Sequence, residues 1–484
     1  MKEIELKKFM HSAVICFLVL LYSYVAVADR DQDITQQKLQ KNTLENSAQD
    51  DATQDSSTQD KQVVKQLQLL FSGTANQDKA LNWLRERNNP DVVAGLIKAI
   101  RFTGDKQGHI AELLTVLTGE GHGTDWSDWM LWLQAHPEIK PFQGFSTFES
   151  QLFANIDPAF TGFIYPGVKH EIRMEEIVWG GVQKDGIPAL TNPTFIGAKE
   201  AKYLNDSDLV FGVEINGDIR AYPYRIMDWH EMFNDVVGGV PVSLAYCTLC
   251  GSGILYDGRV DGREKPFVFG SSGFLYRSNK LMYDQQTQSL WNQFTGRPVV
   301  GKLTGSGIEL KILPVVTATW GQWKKQHPKT KVLSADTGYT RDYSPGKAYS
   351  RYFNSPNLMF PALTNDKRLN PKDKVFGLRI TGAEKAWPLI TFNGGKVIND
   401  RVGVVDLVLI GDAESRTVRA YRSAGKKFEQ VGTSLNTVKH DGQIWQVTES
   451  VLIGPEGFGL ARLPGHLAYW FAWSGYLDKA DFSE

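Results

Sequence analysis

Cysteine is scarce in this chain, with three in 484 residues. A disulfide scaffold needs a dense, even set, so that class is excluded. An excess of charge of one sign is missing too. Lys and Arg total 53 against 54 Asp and Glu, for a formal net charge of −1. Nucleic-acid binders carry a basic excess or patch, so no nucleic-acid partner is expected. Nor does this balance suit an anionic membrane surface. The common hydrolase signatures are absent: there is no G-x-S-x-G elbow, no H-E-x-x-H pair and no paired metal-carboxylate cluster. The glycine- and hydroxyl-rich stretch from Phe269 to Asn279 lacks the spacing and lysine of a P-loop.

What is present is an ordinary globular balance, 42% hydrophobic and 22% charged. The length allows two or three cores at roughly 150 residues each. The 45 glycines and 11% aromatics point to many turns and a β-rich main domain. The one long hydrophobic run is N-terminal. After Lys2, Lys7 and Lys8, residues Met10 to Ala28 carry no charge and end Ala26-Val27-Ala28. Small residues at those positions read as a signal peptide over residues 1–28. An uncleaved anchor is the alternative, since the run could just span a bilayer, but Ser12, Ser23 and Tyr24 weaken it. Cleavage removes Cys16 and leaves Cys247 and Cys250. It also leaves no stable membrane span and places the protein in the periplasm or cell envelope.

Residues 29–61 hold no aromatic residue and are rich in Gln, Asp, Ser and Thr. They cannot bury enough apolar surface to offset ordering, and read as a flexible linker. Residues 62–157 read as a small helical domain, a bundle or a HEAT-like stack. Val93, Ile97 and Ile100 share one face, as do Ile110, Leu113, Leu114 and Leu117, with breakers between. Trp126, Trp129 and Trp132 follow at helical spacing and read as core rather than a ligand groove. Ser146-Thr147-Phe148-Glu149 has the form of a capping box. From residue 158 to 484 the pattern alternates apolar and polar residues, broken by Asn216-Gly217 and Asn393-Gly394 turns. The fold class is therefore α+β: a mainly antiparallel β domain preceded by a small α-helical one.

The β part contains a repeat. Residues 208–244 align with residues 373–409 at a constant offset of 165, with 14 identical pairs. The shared positions are strand, turn and core residues, so both copies are expected to build one β unit and pack as a pair. The differences carry the chemistry. Trp229-His230-Glu231 faces Gly394-Gly395-Lys396, and Cys247 and Cys250 face Asp412 and Ser415. Reactive residues confined to one copy mark a candidate site.

Two thiols as C-x-x-C serve metal binding, dithiol redox chemistry or a local disulfide. Gly251 stands where covalent haem attachment needs His. A strand leads into the motif and another leaves it, which suits a metal knuckle better than a thioredoxin-type helix start. No second Cys or His pair completes a structural zinc site. His230, His466 and Met282 are the remaining candidate metal ligands, a mixed set that points to copper or an open zinc site. His230 is equally a buried structural histidine, His466 and Met282 equally core. Glu231 is a candidate general base, or a partner that orients His230. Cys247, Cys250, His230 and Glu231 are thus the candidate catalytic residues. Three readings stay open: soft-metal binding, a thiol–disulfide oxidoreductase, and a non-catalytic envelope protein with a local staple. Whether the chain is an enzyme, and whether its partner is a small molecule or a protein, is open too. The loop from Tyr339 to Pro361 could wall a pocket.

Several of these motifs together resemble DUF3179, a bacterial family of unknown function. They are Asp185-Gly186-Ile187-Pro188 through Pro193, Trp229-His230-Glu231 with Asn234-Asp235, and Tyr246-Cys247 to Cys250-Gly251. Leu275-Tyr276, Ser278-Asn279, Met282-Tyr283-Asp284, Thr287 and Ser289-Leu290-Trp291 follow in order, then His466 with Trp470-Phe471-Ala472-Trp473. The resemblance covers residues 165–480 and leaves the helical part outside. Thr248 stands where the family usually has Pro. The resemblance implies an exported or envelope-associated protein and supplies no activity, substrate or cofactor. The leader predicts a mature N-terminus at Asp29. N-terminal sequencing of the exported protein should start there, and an intact Met1 chain in the membrane fraction would reverse the assignment.

Overall fold

The computed structural model describes residues 58–104, 107–477 and 481–482. The leader and most of the linker lie outside the described residues. Two compact units are distinguished, Met1–Lys65 and Gln66–Glu484. In the first, residues 58–65 are helical. No helix among the described residues is long and apolar enough to cross a membrane.

The second unit begins with short helices, including Thr74–Arg87, Val93–Ile100, Gln107–Thr118, Trp126–Ala135 and Phe145–Ala154. Asp125 caps its helix by accepting from the Ser127 and Asp128 amides. Trp129 is core, while Trp126 and Trp132 are half-buried. The expected capping box does not form. The helix starts two residues earlier, at Phe145 after Gly144, without a side-chain cap. Ser146 Oγ instead accepts from the Gly167 amide, and Glu149 is buried 2.9 Å from Lys98 Nζ. The helices and the β region form one body. Lys98 also donates to the Ile177 carbonyl, Arg101 donates to that of Trp179 at 2.9 Å, and Phe153 and Phe160 pack on Phe274.

The β region is a duplication more extensive than the sequence repeat. Leu209–Ile215 and Asp218–Pro223 form a hairpin closed by Asn216-Gly217, both with positive φ. That is the primed turn its twist favours. Lys374–Ile380 and Ala383–Pro388 form the equivalent hairpin. Three more strands correspond in register: Met232–Val237, Val240–Cys247 and Ser252–Asp257 in one copy, and Lys396–Val402, Val405–Asp412 and Thr417–Arg422 in the other. Asn393-Gly394 is not a hairpin turn; it leads out of the single helical turn Leu389–Phe392.

Identical residues do identical work. Asp235 takes hydrogen bonds from Arg220 and Tyr222, and Asp400 takes them from Lys385 and Trp387. The Asn234 side chain bridges the backbone of Phe269, and Asn399 bridges that of Phe428. The match then continues at a new offset of 150. Val316–Thr319 pairs with Leu209–Ile215 and leads into helix Trp320–Gln326; His466–Tyr469 pairs with Lys374–Ile380 and leads into helix Trp470–Tyr476. Lys331–Leu333 and Asp481–Phe482 close the two sheets in parallel.

Each copy lays one indole flat on a strand glycine. A Cβ on Gly212 would lie 2.2 Å from Trp323, and one on Gly377 would lie 1.8 Å from Trp473. Only glycine leaves that space. Each buried indole removes roughly 150–250 Å² from water, worth about 4–6 kcal/mol of transfer free energy. Gly377→Ala and Gly212→Ala should each destabilise the fold by about 1–3 kcal/mol through overpacking. Urea unfolding checks this; unchanged midpoints would show that the rings are not wedged on the strands.

Candidate functional site

Strand Val240–Cys247 ends at the first cysteine, one 3-10 turn spans Thr248–Cys250, and Gly251 turns the chain into strand Ser252–Asp257. Gly251 has φ 58°, a left-handed conformation glycine adopts without a steric penalty. Tyr469 of the second copy closes over it. The turn brings the two Sγ atoms to 2.7 Å. Both thiols are free and buried. The second copy clamps the same turn without sulfur, by Ser415 Oγ donating to Asp412 Oδ2 at 2.6 Å.

Beside the thiols lies a charged cluster that the second copy lacks. Glu231 ends helix Tyr224–His230 in a left-handed conformation. Its Oε2 pairs with Lys280 Nζ at 2.8 Å, with both side chains buried. Its Oε1 accepts from Thr248 Oγ1 at 3.0 Å and Tyr349 OH at 3.2 Å. Cys250 Sγ donates to the Ser278 carbonyl at 3.4 Å, in a hairpin turn where Arg277 and Ser278 both have positive φ. Burial, Cys247 and the Glu231 charge push the Cys250 thiol well above its ordinary range. Glu231 and burial likewise push up the Tyr349 hydroxyl, and burial with the two sulfurs pushes up that of Tyr352. The site disfavours the Cys250 thiolate.

His230 does not join the sulfurs through either ring nitrogen. Nδ1 is 2.8 Å from the Pro188 carbonyl and Nε2 is 2.6 Å from Tyr343 OH. The ring ties the 185–193 segment and the 337–343 loop to its helix, and burial pushes its pKa down. That corrects its assignment as third ligand and, with it, the idea that Glu231 orients it. His466 is buried with neither ring nitrogen hydrogen-bonded. Burial pushes it down to about 3, so it is neutral, packed on Phe294 and Trp473. It occupies the position of Val316 in the first copy. Met282 is wholly buried in the core cluster that holds both cysteines. Among the described residues, no group of three His, Cys, Asp or Glu side chains could hold a metal ion. Two thiolates on one tetrahedral zinc, each at about 2.3 Å, would stand about 3.8 Å apart. The 2.7 Å pair is closer than that, and the residues present do not fit a copper or zinc centre.

Several site residues escape the sequence. Lys280 sits in an alternating strand and looks like a solvent-facing charge. Tyr349 and Tyr352 come from the loop expected to wall a pocket. Thr248 donates a hydrogen bond to Glu231. A cavity of about 340 Å³ lies on the far side of Gly251, between the copies. Tyr246 and Asp228 line it, and so do Lys374 and Arg416 of the second copy. The signal for the last two was present in the repeat: Lys374 aligns with Leu209, and Arg416 with Gly251.

The family described as "Protein of unknown function (DUF3179)" matches residues 184–480. No curated protein and no solved structure matches the chain.

Asp228 Oδ1 is buried without a hydrogen-bond partner. Burial and the Glu231 charge push its carboxyl up to about 8 from 3.8. The folded chain therefore binds a proton there that the unfolded chain has released. That contribution is full below pH about 4 and is lost as pH rises through about 8. Urea midpoints measured across this window should decline less steeply for Asp228→Asn than for the native chain, and equal slopes would refute the assignment.

Proposed function

Since the chain belongs to the DUF3179 family, whose description assigns no activity, we propose from its own residues that it is a thiol–disulfide redox protein of the periplasm or cell envelope. Cys247 and Cys250 are its couple. The observation that carries this reading is the convergence of the two sulfurs alone, 2.7 Å apart, beside a buried Lys280–Glu231 pair. A buried ion pair is expensive to desolvate, and the second copy clamps its turn without one. Functional sites are where such charges persist.

The direction of the chemistry follows from the thiols. Oxidising couples stabilise their reduced thiolate; here burial and Glu231 oppose it, so the dithiol is a reductant. The dithiol gives two electrons and two protons to a disulfide, whose S–S bond breaks to yield two thiols, while the Cys247–Cys250 bond forms. Burial of both sulfurs favours a small disulfide over a broad protein surface. A redox titration in dithiothreitol buffers should give a potential near about −270 mV, in the range of a working dithiol. Glu231→Gln should shift it upward, because removing the negative charge lowers the Cys250 thiol pKa. A potential below about −300 mV, unmoved by Glu231→Gln, would favour the inert staple. Stoichiometric metal in protein purified from the periplasm, lost in the Cys247→Ser and Cys250→Ser double variant, would favour metal binding.

A further inference from the structure

The cavity between the two copies is distinct from the sulfur pair and suggests a second activity. It is lined from both copies at equivalent positions: Leu209 and Gly251 from the first, Lys374 and Arg416 from the second. The copies have thus diverged in opposite senses around one space. One kept apolar and glycine residues where the other placed two cations. Among the described residues neither cation has an ion-pair partner or a side-chain hydrogen bond; Lys374 Nζ lies 5.4 Å from the centre of the Tyr469 ring. By contrast, the other arginine at the cavity, Arg225, is already paired with Asp208. Burial and the neighbouring Arg416 and Lys372 charges push Lys374 down to about 8, and the nearby Asp373 charge offsets them only in part. Lys372 itself is spent on the carbonyls of Tyr352 and Ser355.

The rest of the wall fits a small molecule rather than a free ion. Tyr224, Tyr246, Phe353 and Tyr469 supply aromatic surface. Asp228 lies on the same wall with a buried, unpartnered oxygen. Pockets for small ligands are apolar spaces of about 300 Å³ or more with a few converging polar groups. A guanidinium beside an ammonium matches the oxygens of a carboxylate or phosphate. We propose that this cavity binds a small organic acid, its carboxylate or phosphate head held between Lys374 and Arg416 and its body on the aromatic wall. Asp228, carrying its proton, donates to an acceptor on the body of the ligand. The site is independent of thiol chemistry and stands whether or not Cys247 and Cys250 cycle.

The test is calorimetry on the full exported chain with benzoate and phenyl phosphate, and with benzamide and benzylamine as uncharged and cationic controls. At least one acid should bind once per chain, weakening as salt rises, while the controls do not bind; which acid binds more tightly identifies the headgroup. Lys374→Leu and Arg416→Gly install the first copy's own residues at equivalent backbone positions, so the fold should persist by circular dichroism. Each should weaken binding at least tenfold, and Arg416→Lys should recover most of the loss. The Cys247→Ser and Cys250→Ser double variant should bind like the native chain, which separates this site from the redox reading. No saturable binding of either acid would overturn the proposal. So would equal binding of benzamide, or affinity unchanged in both cation variants.

Discussion

Each copy of the β unit lays its own tryptophan helix on a glycine of its own first strand, and the rest of the molecule depends on that contact. Trp470 and Trp473 belong to the second copy, yet they share a core cluster with Cys247, Cys250 and Trp291 of the first. Reciprocally, Gln326 of the first copy's helix meets Asn436 and Arg419 of the second. Contacts that run i to j and j to i are the mark of a two-fold relation. The copies also lie edge against edge: His466–Tyr469 lies beside Ser252–Asp257, and Val316–Thr319 beside Thr417–Arg422. Loss of the second copy's helix would open a core that both halves share. The indole-on-glycine contact is kept in both copies although almost everything else on the helices differs.

Symmetry also supplies a criterion for reading the site. What both copies hold in common is scaffold: the Asp235 and Asp400 networks, the Asn234 and Asn399 bridges, the left-handed residue after each turn. What only one copy holds is free to carry chemistry. The first copy concentrates sulfur and a Glu231–Lys280 pair. Elsewhere the second buries Glu449 between Arg419 and Arg462, a cluster that holds Glu449 well below the usual carboxylate range. Both halves therefore enclose charge. Only in the first does the enclosed carboxylate lie against groups that can gain or lose a proton with electrons.

The sequence carried the local half of this structure. Asn216-Gly217 and the strand entering C-x-x-C-G were legible because turn chemistry acts within a few residues. The repeat was legible only through its first strands. Between Asp257 and Val316 the first copy carries more chain than the second does between Arg422 and His466, so the offset changes from 165 to 150. Trp320 with Trp323, and Trp470 with Trp473, were visible as separate apolar motifs but not as partners. His230 misled for the opposite reason. Its absence from the second copy was real, but a missing counterpart does not say what a ring contacts. Only the fold shows that Pro188 and Tyr343 take both nitrogens. Long-range partners such as Lys280 for Glu231 leave no periodic trace in a strand.

Asp228 and Glu231 are three residues apart at the end of one short helix, and they join the two chemical regions. Glu231 faces the thiols and Lys280, while Asp228 faces the cavity. Glu231 raises the cost of ionising a group on each side, Asp228 and Cys250. The single negative charge that Lys280 stabilises therefore sets two proton affinities at once, that of a thiol and that of a cavity acid. Asp228 lies in a helix of seven residues and Glu231 is its C-cap, so the backbone that places one carboxylate at the cavity places the other at the thiols.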